Sequence, residues 1–398
     1  MGKDKKMILA AKKTILAIDT SCDDTSVAVL EGNRVLANVV ASQTAIHQQY
    51  GGVFPTLAKQ AHQENIEACV QLALQRAGLS NKLKIRDHID AVAVTVGPGL
   101  APALEVGIKH AKKLAKQWQL PIIAINHIEA HALSPLLSPK TKRQNREIDF
   151  PVLALVISGG HSEFILIKQI GNYQRLGWTV DDSAGECLDK VGRMLDLGYP
   201  AGAILEKLAK KGNPNLWSLP LAMTSVDNFN LSFSGLKTAS SQLINQVKKQ
   251  KQLDGQTVCD LAATVQQQVF SQIIYKLERI LFSPDLSKKV YPKAQLIKKI
   301  KQQKTKAAVT DINEIWLGGG VAANITLRTS IRQTLKTYQK LSGKKIKLHL
   351  PYHKKFCADN AAMIALTAQF SSEQSKNTNA QLIDRQANLK IGTFCQAC

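Results

Sequence analysis

At residues 126–131 the chain reads NHIEAH, two histidines four positions apart with a glutamate between them. On a helix His127 and His131 share one face, and two imidazoles on one face are half of a metal site. Glu129 follows His127 by two positions, which turns it roughly 200° away from that face. In the HExxH pattern of zinc proteases the glutamate directly follows the first histidine and serves as the base, so metal-dependent proteolysis is disfavoured. A third ligand has to come from elsewhere. His161, His353 and Asp359 are candidates, each near a turn or a helix start. Two histidines and a carboxylate leave coordination positions open, a set that suits Fe(II), with zinc as the alternative.

Three small-residue turns point to a different chemistry. ILAIDTSCDDTSVAVL (15–30) reads as a strand, a polar turn and a second strand, and VLALVISGGHSEFILI (152–167) repeats the device around Ser158-Gly159-Gly160-His161. EIWLGGGVAANITLRTSI (314–331) runs from a strand through Gly318-Gly319-Gly320 into a helix. Glycines at such junctions let the backbone approach a ligand, and a helix N-terminus favours an anion. In the first turn Asp23 and Asp24 are candidate proton acceptors, their plainer role being to cap the turn.

Positioning these residues takes short apolar strands alternating with amphipathic helices, which is an α/β pattern. Two similar halves imply a duplicated fold of two lobes with a cleft between them. The expected division is a basic N-terminal extension (1–13), a first lobe (14–137) completed by a helix of about 357–370, a second lobe (150–356) and a tail (371–398). Segment 121–137 reads as a strand ending near Ile125 and then a helix carrying both histidines; CADNAAMIALTAQF (357–370) reads as a helix with Asp359 at its start. A lysine-rich stretch, 284–308, reads as a surface insertion in the second lobe.

The totals bound the possibilities. A chain of 398 residues with 44% hydrophobic and 21% charged content is that of a folded soluble protein, long enough for two domains. No apolar run approaches the roughly 20 residues of a membrane span, and the basic N-terminus lacks the apolar region of a secretory signal, so a cytoplasmic location without membrane contact is expected. Seven cysteines, five of them scattered singly, suit a reducing compartment, and Cys395 and Cys398 have no second pair with which to build a zinc site. A net charge of +22 attracts polyanions, nucleic acid first among them.

DTSCDDT (19–25), YGGVFP (50–55), GPGL (97–100), NHIEAH, VISGGH (156–161), DDSAGECLDK (181–190), LSFSGLKT (231–238), GGGVAAN (318–324) and CADN (357–360) occur in that order. With these motifs the chain resembles the TsaD (Gcp) family of tRNA adenosine threonylcarbamoyltransferases, in its bacterial-type form. The resemblance implies the actin-like, sugar-kinase and Hsp70-type ATPase (ASKHA) fold. It implies transfer of a threonylcarbamoyl group from its adenylate to the exocyclic amine of the adenosine 3′ of the anticodon, in tRNAs reading ANN codons, with release of AMP. Carried over residue by residue, His127, His131 and Asp359 would hold one divalent metal, meeting across the cleft with Asp359 supplied from the other lobe. Val156, Ile157, Ser158, Gly159 and Gly160 would contact the donor, together with Asp189, Gly202 and Asn324. Amides of Ser158, Gly159 and Gly160 would stabilise oxygen charge, and Asp23 or Asp24 would take the proton. TsaB-like and TsaE-like subunits are implied as partners. The chain departs from the family pattern at YPAGA (199–203), CADN and GVAAN, where YPGGP, CTDN and SAN are usual. An ATPase or small-molecule kinase of the same fold is the rival reading, and a non-enzymatic RNA-binding scaffold another. The histidine pair argues against the kinase, since such enzymes hold magnesium through carboxylates and water.

Overall fold

Runs such as TILAID and VLALVI are apolar at nearly every position, too continuous for a strand with one wet face, and belong at the centre of a sheet covered on both sides. The computed structural model describes residues 6–8, 13–79, 85–141, 146–250, 253–283, 311–371 and 380–392. The lysine-rich insertion 284–308, Cys395 and Cys398, and all of the extension 1–13 but residues 6–8 and 13 lie outside them. In chain order the strands are β1 (Lys6–Ile8), β2 (Thr14–Asp19), β3 (Asp24–Glu31), β4 (Arg34–Ser42), β5 (Ala91–Gly97), β6 (Ile122–Asn126), β7 (Glu147–Asp149), β8 (Val152–Ile157), β9 (Ser162–Gln169), β10 (Asn172–Trp178), β11 (Glu314–Gly318) and β12 (Lys347–His349).

Two five-stranded sheets have the orders β4-β3-β2-β5-β6 and β10-β9-β8-β11-β12. Counted within each sheet, both run third, second, first, fourth, fifth, so one device is used twice. In the first, β3 lies antiparallel to β2 and β4, whereas β2, β5 and β6 are parallel. In the second, β8, β11 and β12 are likewise parallel. Every residue of β5 and of β8 is buried, as a parallel centre requires. This is the duplicated α/β architecture of the ASKHA type that the motifs imply. By its contacts the chain forms two units: Met1–Phe150 with Ile167–Gln174 and Leu350–Cys398, and Pro151–Leu166 with Arg175–His349. Among the described residues no helix is long and apolar enough to cross a membrane.

In the first unit, alternate residues of the central strands (Leu16, Ile18, Val92, Val94) form one core with Ile66, Val70 and Ala73 of the helix Pro55–Ala77 and Leu104, Ile108 and Ala111 of the helix Ala101–Trp118. The helix Ala361–Ser371 packs against the same sheet and is buried along nearly its whole length, as its sequence AAMIALTAQF, apolar almost all round, dictates. Its first turn is tied down by three acceptors. Ala361 N donates to Ser26 Oγ at 2.8 Å, Ala362 N to Asn38 Oδ1 at 3.3 Å, and Met363 N to Asn360 Oδ1 at 3.1 Å.

The second unit sets the helices Ala184–Met194, Gly202–Ala209, Ser234–Gln250, Gly255–Leu281 and Ile325–Ser342 with its sheet. Ser183, Asp254 and Asn324 cap three of them through side-chain oxygens. The triple glycine does not lead straight into a helix, as its sequence led us to expect. Gly320–Ala323 forms a 3-10 turn first, and the α-helix begins only where Asn324 can cap it. From the helix Gly255–Leu281 the buried Lys276 donates to Met223 O and Asn228 O, both at 2.9 Å, and Arg279 to Val226 O at 2.8 Å, so two cations hold one loop.

Candidate metal centre

The register of the first sheet aligns Ile18 with Val94 and Val94 with Ala124. Parallel strands bring their C-terminal ends to one edge, where open α/β sheets build their sites. Asp19 ends β2 at that edge, and His127 opens the helix His127–Leu133 directly after β6. The Asn126 side chain starts that helix, its Oδ1 accepting from Ile128 N at 2.8 Å and Glu129 N at 3.1 Å. Strand and helix fall where the sequence places them, and both imidazoles are buried.

Asp359 Oδ1 lies 3.1 Å from His131 Nε2 and 3.6 Å from His127 Nε2. The two rings meet edge to face, with centroids 4.6 Å apart. One ligand atom from each of the three residues lies within 4.8 Å of the others, a group that could hold a metal ion. The expected set is therefore brought together, with one correction. All three residues belong to the first unit, so the centre does not join two lobes; the reason is that the helix Ala361–Ser371, which follows Asp359, is part of the first sheet's packing. His161 and His353 are not in the group. His161 sits in the turn after β8 in the other unit, and His353 Nδ1 accepts from Lys355 N at 3.2 Å.

Two imidazole nitrogens aimed from buried positions at one carboxylate oxygen fit a first-row divalent cation. The surrounding field is also suited to one. Burial works against charge on His127, but the Asp19 and Asp359 carboxylates outweigh it and raise its pKa to about 10. Burial would likewise raise Asp359, and the two histidines instead hold it well below the carboxylate range. Burial keeps His131 below the usual imidazole value.

Asp23 sits in the turn between β2 and β3, and Asp24 opens β3. Burial raises both, Asp23 with a further push from the Asp359 charge, and Asp24 reaches about 7. His62 braces this turn. Its Nε2 is 3.0 Å from Cys22 O, which only accepts, so Nε2 carries the hydrogen and Nδ1 accepts from Thr25 Oγ1 at 2.7 Å. Sequence reading had no reason to single out His62; an isolated histidine inside an amphipathic helix carries no spacing signal.

The donor residues implied by the motifs lie in the second unit. Val156 and Ile157 are fully buried in β8, so their side chains serve the core. The Ser158 amide donates to His161 O at 2.7 Å, and Ser158 Oγ accepts from His161 N at 3.0 Å, which removes that amide from the expected oxyanion donors. Gly159 and Gly160 are exposed, and a Cβ on either would meet nothing within 4 Å. Asp189 Oδ1 accepts from Ala201 N at 2.8 Å and Gly202 N at 2.9 Å, fixing the start of one helix. Asn324 Oδ1 caps the helix at 325, while its Nδ2 donates to Gln266 Oε1 at 2.8 Å. Asp181 accepts from Phe233 N at 2.7 Å, and Asp182 contacts Lys190 at 2.9 Å and Lys237 at 2.6 Å, so the DDSAGECLDK and LSFSGLKT stretches hold each other.

Gly319 departs from expectation. Its φ is 92°, and a Cβ there would come within 2.3 Å of Ile157 O. The glycine is needed for β8 and the turn after β11 to approach each other, which is a packing reason for it whatever else binds there.

A duplicated α/β fold of the ASKHA type, with two buried histidines and a part-exposed carboxylate drawn together beside one sheet edge, has a centre able to take a metal. A family profile for TsaD, described as tRNA N6-adenosine threonylcarbamoyltransferase, matches residues 34–366, and the chain belongs to that family. Relatives bearing the same description include one from Geotalea uraniireducens, 39% identical over 89% of this chain and 90% of its own length. Another, from Rippkaea orientalis, is 38% identical over 93% and 96%. Among solved structures, a ROK hexokinase from Thermus thermophilus shows 13% identity over 91% of this chain and 99% of its own, with a TM-score of 0.43.

Proposed function

We propose that this chain moves the threonylcarbamoyl group of threonylcarbamoyl-adenylate to the exocyclic amine of the adenosine immediately 3′ of the anticodon, in tRNAs reading ANN codons, releasing AMP. The observation that carries this reading is the meeting of His127, His131 and Asp359 around one point in a member of this family. The donor is a mixed anhydride whose leaving group is already good, so no covalent enzyme intermediate is required. The adenine amine is the weak partner, because its lone pair is delocalised into the ring.

His127, His131 and Asp359 would hold the metal, Fe(II) in preference to zinc; when bound it supplies a Lewis acid that orients and polarises donor oxygens. The exposed Gly159 and Gly160 turn offers backbone N–H groups to developing oxygen charge. Asp24, poised near neutrality, takes the amine's proton, with Asp23 beside it. Asp189, Gly202 and Asn324 act by shaping the loops that receive the donor. The net charge of +22 favours the tRNA backbone. TsaB-like and TsaE-like subunits and a cytoplasmic setting follow from the resemblance.

The test is direct. The protein is incubated with donor adenylate and unmodified tRNA, the RNA is digested, and the modified nucleoside is sought by mass. Its absence in a metal-loaded preparation supplied with both subunits would defeat the proposal, and ATP turnover without tRNA would point to the kinase-like rival.

A further inference from the structure

Asp19 Oδ2 lies 3.5 Å from His127 Nδ1, on the side of the ring opposite the nitrogen that faces Asp359. Both residues are buried, Asp19 at 1% exposure. The other Asp19 oxygen, Oδ1, already accepts from Ser21 N at 3.2 Å. Asp19 Oδ2 and His127 Nδ1 have no closer hydrogen-bond partner, although each is sealed from water. A buried carboxylate oxygen and a buried ring nitrogen that face only each other form a pair awaiting one hydrogen.

We infer that Asp19 is a positioning residue for the metal centre: it accepts the Nδ1 hydrogen of His127 and thereby commits Nε2 to the metal. The inference rests on the metal role proposed above. A neutral imidazole carries its hydrogen on one nitrogen only, and the partner of that hydrogen decides which nitrogen is left as donor. Carboxylates behind ligating histidines fix ring orientation and tautomer in this way. Backbone geometry supports the placement. Asp19 is the last residue of β2, and Thr20 Oγ1 donates to Ala103 O at 2.9 Å, anchoring the chain just beyond it. Among the described residues His131 has no matching carboxylate, since its Nδ1 is without a hydrogen-bond partner there. The two histidines are therefore unequal, and the loss of Asp19 should fall on His127 alone.

The test uses the full-length protein loaded with zinc or cobalt. Calorimetric titration of metal-free protein should give a Kd weakened about 10–100-fold by Asp19→Ala and by Asp19→Asn. In the zinc-loaded wild type, labelled at histidine nitrogen, the His127 Nδ1 hydrogen should appear as a downfield, slowly exchanging resonance that Asp19→Ala abolishes. A folded Asp19→Ala protein that binds metal as tightly as wild type would overturn the inference. So would a rapidly exchanging His127 Nδ1 hydrogen in the wild type, a reading that needs no variant to fold. Wild-type protein that takes up neither metal would instead overturn the metal role itself, and the inference with it.

Discussion

The Tyr173 hydroxyl donates to Glu129 Oε1 at 2.6 Å. That bond takes up the one acid lying between the two histidines and ties it to the hairpin of β9 and β10. Burial raises Glu129 to about 7, and it is not among the three residues whose ligand atoms meet. Glu129→Gln keeps an oxygen able to accept from Tyr173 and should leave metal content and transfer within about twofold of wild type, a change under roughly 0.5 kcal/mol. Elemental analysis with single-turnover assays reads this. Loss of a demonstrated peptidase activity with the metal retained would revive the protease reading.

His127→Ala and Asp359→Ala should behave differently from Glu129→Gln. Each removes a donor atom from the group, so metal and transfer should be lost together, by more than the roughly 10–100-fold typical of a supporting residue. Binding of tRNA should persist, because the charge that attracts it is spread along the chain. Metal-free wild type with full activity would contradict this.

Asp24 gives a pH signature. Its pKa of about 7, set mainly by burial, means the base form grows as pH rises through neutrality. Single-turnover transfer should climb with pH and level off above about 8. Asp24→Asn should lose on the order of 10²–10⁴-fold and lose the inflection as well. An unaltered profile in that variant would assign the proton to another group.

Gly319→Val should act on stability before it acts on donor binding. The added Cβ meets Ile157 O, and the φ of 92° disfavours a branched side chain. Together these should cost about 2–4 kcal/mol, seen as a lowered denaturant midpoint. A normally stable variant with weakened donor binding would return the glycine to the ligand.

Lys276 should make stability rise with pH in alkali. Burial, helped by the neighbouring Arg279 charge, lowers it to about 8, against roughly 10.4 in an unfolded chain. Between those values the unfolded state binds more protons, so unfolding free energy increases with pH through that window. Lys276→Met should flatten that slope while costing about 1–3 kcal/mol near neutrality, since Met223 O and Asn228 O lose a donor. Denaturant curves at pH 8 to 10 for both proteins decide it.

How much of this could be read beforehand depended on range. The His127 and His131 pairing was legible because four residues on a helix make neighbours, and the strand before it because its residues are uniformly apolar. Asp359 was one of three candidates for the third ligand, chosen among them by the motif CADN, and nothing local says that it folds against residue 131. Asp19, His62 and Ser26 escaped notice for one reason. Each acts through a contact with a distant segment, and one sequence shows no such pairing. The packing role of Gly319 was not legible, because a close approach to a ligand and a close approach to another strand ask for the same residue.

The bond from Ala361 N to Ser26 Oγ closes a span of 335 residues, and that from His131 to Asp359 a span of 228. A ribosome makes the imidazoles long before the carboxylate. A nascent chain that has passed His131 can fold much of its first sheet, yet it carries two of the three candidate ligands without the other until synthesis has also produced the intervening unit. Under the proposed metal role, retention of the ion is a mark of completion: only a chain whose helix Ala361–Ser371 has been made and seated against its first strands holds the finished centre, and one stalled short of Asp359 remains unarmed however well its earlier parts have folded.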